Sequence, residues 1–253
     1  MRIIISPAKK MKRDTDFLDC RQMPQFISHS QTLLALLQKL NYEEAKALWK
    51  CNDAIATLNV ERLRDMDVTQ TLTPAIFSYE GIQYQYMAPG ILQMEELEYL
   101  QQHLRILSGF YGIVRPFDGV VPYRLEMQAK LSGPGFNSIY EFWNRKLADQ
   151  LFAETDLIVN LASKEYSKCI SPYAGDNVRM INCIFGQEIG GKLVERATLV
   201  KMARGEMVRF MAERQITCVD DIKGFDGLDF RFAEELSDES MYVFIQQVKE
   251  EGV

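Results

Sequence analysis

Gln101-Gln102-His103-Leu104-Arg105-Ile106-Leu107-Ser108-Gly109-Phe110-Tyr111-Gly112-Ile113-Val114-Arg115-Pro116-Phe117-Asp118 is the stretch on which the reading of this chain turns. Leu100, Leu104 and Leu107 fall on one helical face, with Gln101, Gln102 and Arg105 off it, so the first half reads as the end of an amphipathic helix. Gly109 and Gly112 then bracket Phe110-Tyr111 in a tight turn, and a short apolar run follows, stopped by Pro116. Glycine reaches positive φ and leaves backbone amides uncovered, so a G-x-x-G turn can aim several N–H groups at one anion. Arg105 and Arg115 flank it, which makes the functional reading a phosphate held by amides and guanidinium groups. The plainer reading is a helix C-cap at Gly109 followed by an ordinary connection.

The neighbouring sequence predicts an α+β fold. Arg2-Ile3-Ile4-Ile5 and Asp156-Leu157-Ile158-Val159-Asn160-Leu161-Ala162-Ser163 read as buried strands. Helices are expected over 28–40, 42–66, 95–107, 138–152 and 198–213. Asn41 is placed as an N-cap, and Trp49 and Leu58 in the core. A hairpin is expected over 177–195, turning near Gly186 and Gly190-Gly191, with a last strand at 241–245. Gly205, inside a helix, implies close packing or a ligand's close approach. No linker or repeat divides the chain, so one domain over residues 1–253 is expected.

Hydrophobic residues make up 47% and charged residues 25%, ordinary globular values. No apolar run approaches a membrane span, and the N-terminal apolar run is too short for a signal-peptide core. A cytoplasmic location is expected. Five cysteines, widely spaced and with no C-x-x-C, argue for reduced, mostly buried thiols rather than disulfides or a zinc site. The net charge of −6 is unevenly spread. From Asp220 to Val253, ten acidic residues against Lys223, Arg231 and Lys249 leave −7, and therefore about +1 over residues 1–219. A local basic surface is permitted there.

Taken together, Ile5-Ser6-Pro7-Ala8-Lys9, Gln102-His103-Leu104-Arg105 through Arg115-Pro116, and Pro122-Tyr123-Arg124-Leu125-Glu126-Met127 resemble motifs of the YaaA-type peroxide stress proteins, the DUF328 or UPF0246 family. Phe142-Trp143, Asn160-Leu161-Ala162-Ser163 with Glu165-Tyr166 and Lys168, and Ala203-Arg204-Gly205 extend the likeness over almost the whole chain. Asn144 stands where that pattern commonly has glycine. The resemblance implies a single α+β domain whose curved mixed sheet and helices surround a basic cleft. It further implies a helix-hairpin-helix-like element, placed here at Leu104 to Arg115, and a role in limiting peroxide damage linked to free intracellular iron.

The leading functional expectation is therefore sequence-independent DNA binding through Lys9, Arg105, Arg115, Arg124, Lys164, Lys168, Arg204 and Arg209, with Gly109 and Gly112 shaping an amide cradle. The alternative is an enzyme of unidentified reaction, its groups drawn from Lys9, Glu126, Ser163, Glu165 and Tyr166. The same groups could equally form a buried network that holds the cleft rigid. Ser6 and Lys9 match S-x-x-K, but the companion S-D-N and K-T-G motifs of serine acylation are absent. No cofactor or metal site is expected: iron would need His29 and His103 to converge with a carboxylate.

Overall fold

The computed structural model describes residues 1–14 and 18–247. Residues 248–253, the end of the expected domain and of the acidic tail, lie outside the described residues. Eight strands build the central sheet: β1 (Arg2–Ile5), β2 (Leu104–Ser108), β3 (Gly112–Val114), β4 (Leu157–Leu161), β5 (Arg179–Ile189), β6 (Lys192–Val194), β7 (Phe230–Phe232) and β8 (Met241–Gln246). Their order is β7-β8-β5-β4-β1-β2-β3, with β6 folded back on the far half of β5. The sheet is mixed, as expected, but its centre is parallel: β8, β5, β4, β1 and β2 all run the same way, and β3, β6 and β7 are antiparallel additions.

Strand β1 lies in the middle because Ile3, Ile4 and Ile5 are fully buried, and branched side chains suit a strand covered on both faces. One hydrophobic cluster runs from Ile3 to Phe244. The helices that matter below are α1 (Ile27–Leu37), α2 (Tyr42–Trp49), α3 (Asp53–Arg64), α4 (Ile82–Met87), α5 (Met94–His103), α6 (Ile139–Trp143), α7 (Lys146–Phe152), α8 (Lys164–Ser167) and α9 (Ala197–Glu213). Asn41 caps α2 in a full capping box with Glu44, as expected. The single helix expected over 42–66 is two, broken where Lys50 turns left-handed at φ 46° and Asn52 caps α3. The helix expected over 138–152 is likewise two, with Asn144 at φ 44° between them. Trp49 is buried, but Leu58 is exposed, a correction to its place in the core.

The opening stretch requires the largest correction. Helix α5 stops at His103, and Leu104–Ser108 is a strand, buried throughout between β1 and β3. A strand covered on both faces shows no alternation, so its leucines matched a helical stripe as well as they match β2. Leu104 to Arg115 is thus strand–turn–strand, not a helix-hairpin-helix-like element.

The turn is not an amide cradle either. Phe110 and Tyr111 are fully buried, and both of their amides donate to Ser108 Oγ, at 3.2 and 2.8 Å. Gly109 O accepts from Trp143 Nε1 at 2.9 Å, and Phe110 O accepts from Ser30 Oγ at 3.0 Å. The glycines answer to sterics. A Cβ on Gly109 would stand 2.5 Å from Leu125 O, and Gly112 sits at φ 77°.

Candidate functional site

Arg105 and Arg115 lie at the amino-terminal end of the sheet. Arg2, the first residue of β1, and Arg105 both donate to Glu154 Oε2, from Nε at 3.0 and 2.8 Å, and Arg115 Nη2 is 3.7 Å from Oε1. Arg105 is almost fully buried. Burial alone would raise the Glu154 carboxyl, but hydrogen bonds from Arg105 and Arg2 and the Arg105 charge bring it down to about 2. This is a closed ion cluster that anchors the entry to β4.

Asp118 faces the same 240 Å³ hollow. Burial pushes its carboxyl up to about 6, although Arg115 N and Gln22 Nε2 both donate to it. A carboxyl raised on folding stabilises the fold below its unfolded value and loses that contribution as pH rises through its folded value. Between 3.8 and about 6, then, acidification favours the wild type over Asp118→Asn, which does not titrate. Urea denaturation at several pH values should show the difference moving toward the wild type by up to about 1.4 kcal/mol per pH unit on acidification through that window. A pH-independent difference would contradict this.

The opposite, carboxyl-terminal end of the sheet gathers the other polar residues. Ser6 follows β1, and its Oγ accepts from Ser163 N at 2.9 Å, while the two hydroxyls lie 3.2 Å apart, tying the ends of β1 and β4 together. Lys9 Nζ and Arg124 Nη2 converge on Glu126 Oε1, at 3.3 and 3.2 Å. Glu126 and Arg124 are sunk into the surface, whereas Lys9 is 64% exposed. Two residues on, Gln128 N donates to Glu165 Oε1 at 3.3 Å. Burial raises the Glu165 carboxyl, with the nearby Glu126 charge adding to it and Lys9 opposing it. Glu165 O accepts from Tyr140 Oη at 2.9 Å, and Lys168 Nζ stands 5.1 Å from the centre of the Tyr140 ring. Lys9 and Arg124 thus meet at Glu126, Lys168 meets Glu165 through Tyr140, and the segment from Arg124 to Gln128 ties the two groups together; Lys164, next to Glu165 in sequence, borders a separate hollow.

The remaining residues go elsewhere. Arg209 pairs with Glu213 one turn along α9. Arg204 is sunk beneath the surface and faces a hollow beside Lys164. The ten expected residues do not form one groove: Arg105 and Arg115 are at one end of the sheet, and Lys9, Arg124, Lys164 and Lys168 at the other.

Two further lysines, not among the expected residues, share a groove of their own. Lys130, at the end of the segment that carries Arg124 and Gln128, lines a 410 Å³ groove together with Lys50, the left-handed residue between α2 and α3. The split of the 42–66 helix at Lys50-Cys51-Asn52, with asparagine as a natural N-cap, was the available signal.

Of the groups considered for catalysis, Lys9 pairs with Glu126, Ser163 with Ser6, and Glu165 with the Gln128 amide. His29 stacks on Trp143, while His103 stacks on Tyr99 and contacts Met1 O, so the two histidines sit in different surroundings. No group of three or more His, Cys, Asp or Glu is placed to hold a metal among the described residues. Cys169 and Cys183 are buried, Cys20 and Cys51 partly so, and Cys218 is exposed, so burial is less general than expected. Among the described residues, no helix is long and apolar enough to cross a membrane.

A mixed α/β protein with a largely parallel central sheet is the class these features define. Over residues 1–236 the sequence matches the family described as Peroxide stress protein YaaA, and the chain belongs to that family. It is 54% identical to a UPF0246 protein of Lachnoclostridium phytofermentans over 97% of this chain and 96% of that one. UPF0246 proteins of Pediococcus pentosaceus and Lactiplantibacillus plantarum are 50% and 51% identical, over 97% and 98% of this chain and 98% and 100% of theirs.

Proposed function

We propose that this member of a peroxide stress family binds the DNA backbone without reading sequence, along the carboxyl-terminal edge of its sheet. The supporting observation is that Lys9 and Arg124 meet at Glu126, that Gln128, two residues on, holds Glu165, that Glu165 and Lys168 both contact Tyr140, and that Lys130, two residues past Gln128, shares a groove with Lys50. Exposed lysines along one edge suit phosphates, which a protein grips by charge and counterion release rather than by base contacts. The helix pair α2–α3, joined by only three residues, offers the helix-hairpin-helix-like element a place beside that groove. A protein seated on the backbone would stand where iron-driven peroxide damage falls. In this reading Arg105, Arg115, Gly109 and Gly112 serve the fold and make no DNA contact.

Fluorescence anisotropy with a labelled duplex across a salt series tests this. Affinity should fall steeply with salt and be the same for unrelated sequences. Lys9→Gln, Lys130→Gln and Lys168→Gln should each lower the log–log salt slope by about one, while Arg209→Gln leaves it unchanged. Absence of binding at low salt, or slopes unmoved by all three lysine changes, would reject the proposal.

A further inference from the structure

A hollow of 650 Å³ lies where β4 ends beside the middle of β5 and the start of β8, against the first half of α9. Its volume falls within the usual range for small-molecule sites, about 300 to 1,000 Å³, and it lies at the carboxyl end of the parallel strand β4, where such sites commonly form. Three cations border it, Lys164, Lys201 and Arg204. Both lysines are exposed, but Arg204 is sunk, and its Nε is buried with no hydrogen-bond partner among the described residues. A buried guanidinium N–H without a partner is costly unless an acceptor meets it, and an anion is the acceptor that suits a cation. The carboxylates at hand do not supply one. Glu195 acts on Arg204 only through its field, with no ion pair between them among the described residues, and Asp238 Oδ1 already accepts from Ser240 N and Oγ.

The rest of the wall has the character of a binding site. Asn160 Oδ1 accepts from Ala162 N at 2.9 Å, Asn160 Nδ2 donates to Asn182 Oδ1 at 2.8 Å, and Asn182 Nδ2 donates to Ser240 O at 3.2 Å. Both carboxamides are thereby fixed in orientation, and each nitrogen keeps a second proton. Ile184, Val200 and Met241 give the hollow an apolar side. An inorganic phosphate would use only a fraction of this space, while a phosphate carried on a flat, partly apolar body would use both sides.

From this arrangement we infer that the hollow binds a phosphate monoester on a nucleoside-sized body, its phosphate at Arg204 and Lys201 and its body against Ile184, Val200 and Met241. Such a group is presented either by a free nucleotide or by the phosphorylated end of a nucleic acid strand. The site adjoins the duplex edge proposed above at residues 163–168 but rests on Arg204 and Lys201, which that proposal does not use, so the two readings stand or fall separately.

Isothermal titration calorimetry on the full chain tests this, with AMP, CMP, inorganic phosphate, adenosine, and a short single strand with and without a 5′-phosphate. AMP or the 5′-phosphorylated strand should bind at least about tenfold more tightly than adenosine or the unphosphorylated strand, and more tightly than inorganic phosphate. Binding of the phosphorylated strand without AMP assigns the site to strand ends, and binding of AMP assigns it to free nucleotides. Arg204→Gln should weaken that ligand at least about tenfold, and the exposed Lys201→Glu, which leaves the core untouched, should weaken it several-fold. Neither should alter duplex affinity measured by anisotropy. Failure of every phosphorylated probe to bind, equal affinity for AMP and adenosine, or wild-type affinity in Lys201→Glu would overturn the inference.

Discussion

Replacing Glu154 by alanine is expected to destabilise the fold by about 3–5 kcal/mol, measured by urea denaturation at neutral pH. The carboxylate holds two hydrogen-bonded guanidinium groups, and Arg105 has almost no access to water once it is gone. Removing one partner of such a cluster leaves an uncompensated buried charge, which costs more than the pair contributed. Glu154→Gln keeps one acceptor oxygen and should cost less. The pH dependence has a definite sign. A carboxyl lowered to about 2 on folding contributes stability that is present above its unfolded value of 4.5 and lost as pH falls through its folded value. Wild type and Glu154→Gln should therefore converge in stability as pH drops from about 5 toward 2. Folded Glu154→Gln should bind DNA as the wild type does, since this end of the sheet is structural.

Gly205→Ala is expected to destabilise by about 3 kcal/mol, measured in the same way. Its added Cβ would lie 2.1 Å from Gln83 O and 2.9 Å from Met87 N, both backbone atoms of α4 that no rotamer change can move. Helix propensity alone would make this exchange favourable by about 1 kcal/mol, so the sign of the result distinguishes the two effects. Because α9 also carries Lys201 and Arg204, forcing it off α4 should weaken nucleotide binding as well. A neutral or stabilising alanine would show that the two helices separate freely.

The sequence was most informative where one physical cause dominates. Ile3 to Ile5 and Leu157 to Val159 are continuous apolar runs and lie in strands where expected; Asn41 carries its acidic partner at the right spacing and caps α2. Gly205 pointed to close packing, and it is helix α4 that comes close. The opening stretch misled because a strand buried on both faces has no alternation to betray it, and because glycines shaped by sterics look like glycines shaped for a ligand. Arg105 misled for a related reason. Its carboxylate lies 49 residues away in sequence, and nothing local announces that pairing. Arg204 was a candidate, but only the fold shows it sunk and facing a hollow rather than set on a surface.

Hydrogen–deuterium exchange of the full chain with and without duplex DNA addresses the carboxyl-edge assignment most directly. Protection on binding is predicted across residues 124–132 and 163–168 and around Lys50, with Arg105 to Pro116 unchanged. Protection confined to the Arg105–Arg115 end of the sheet would place the nucleic acid at the wrong pole of the molecule and contradict the account.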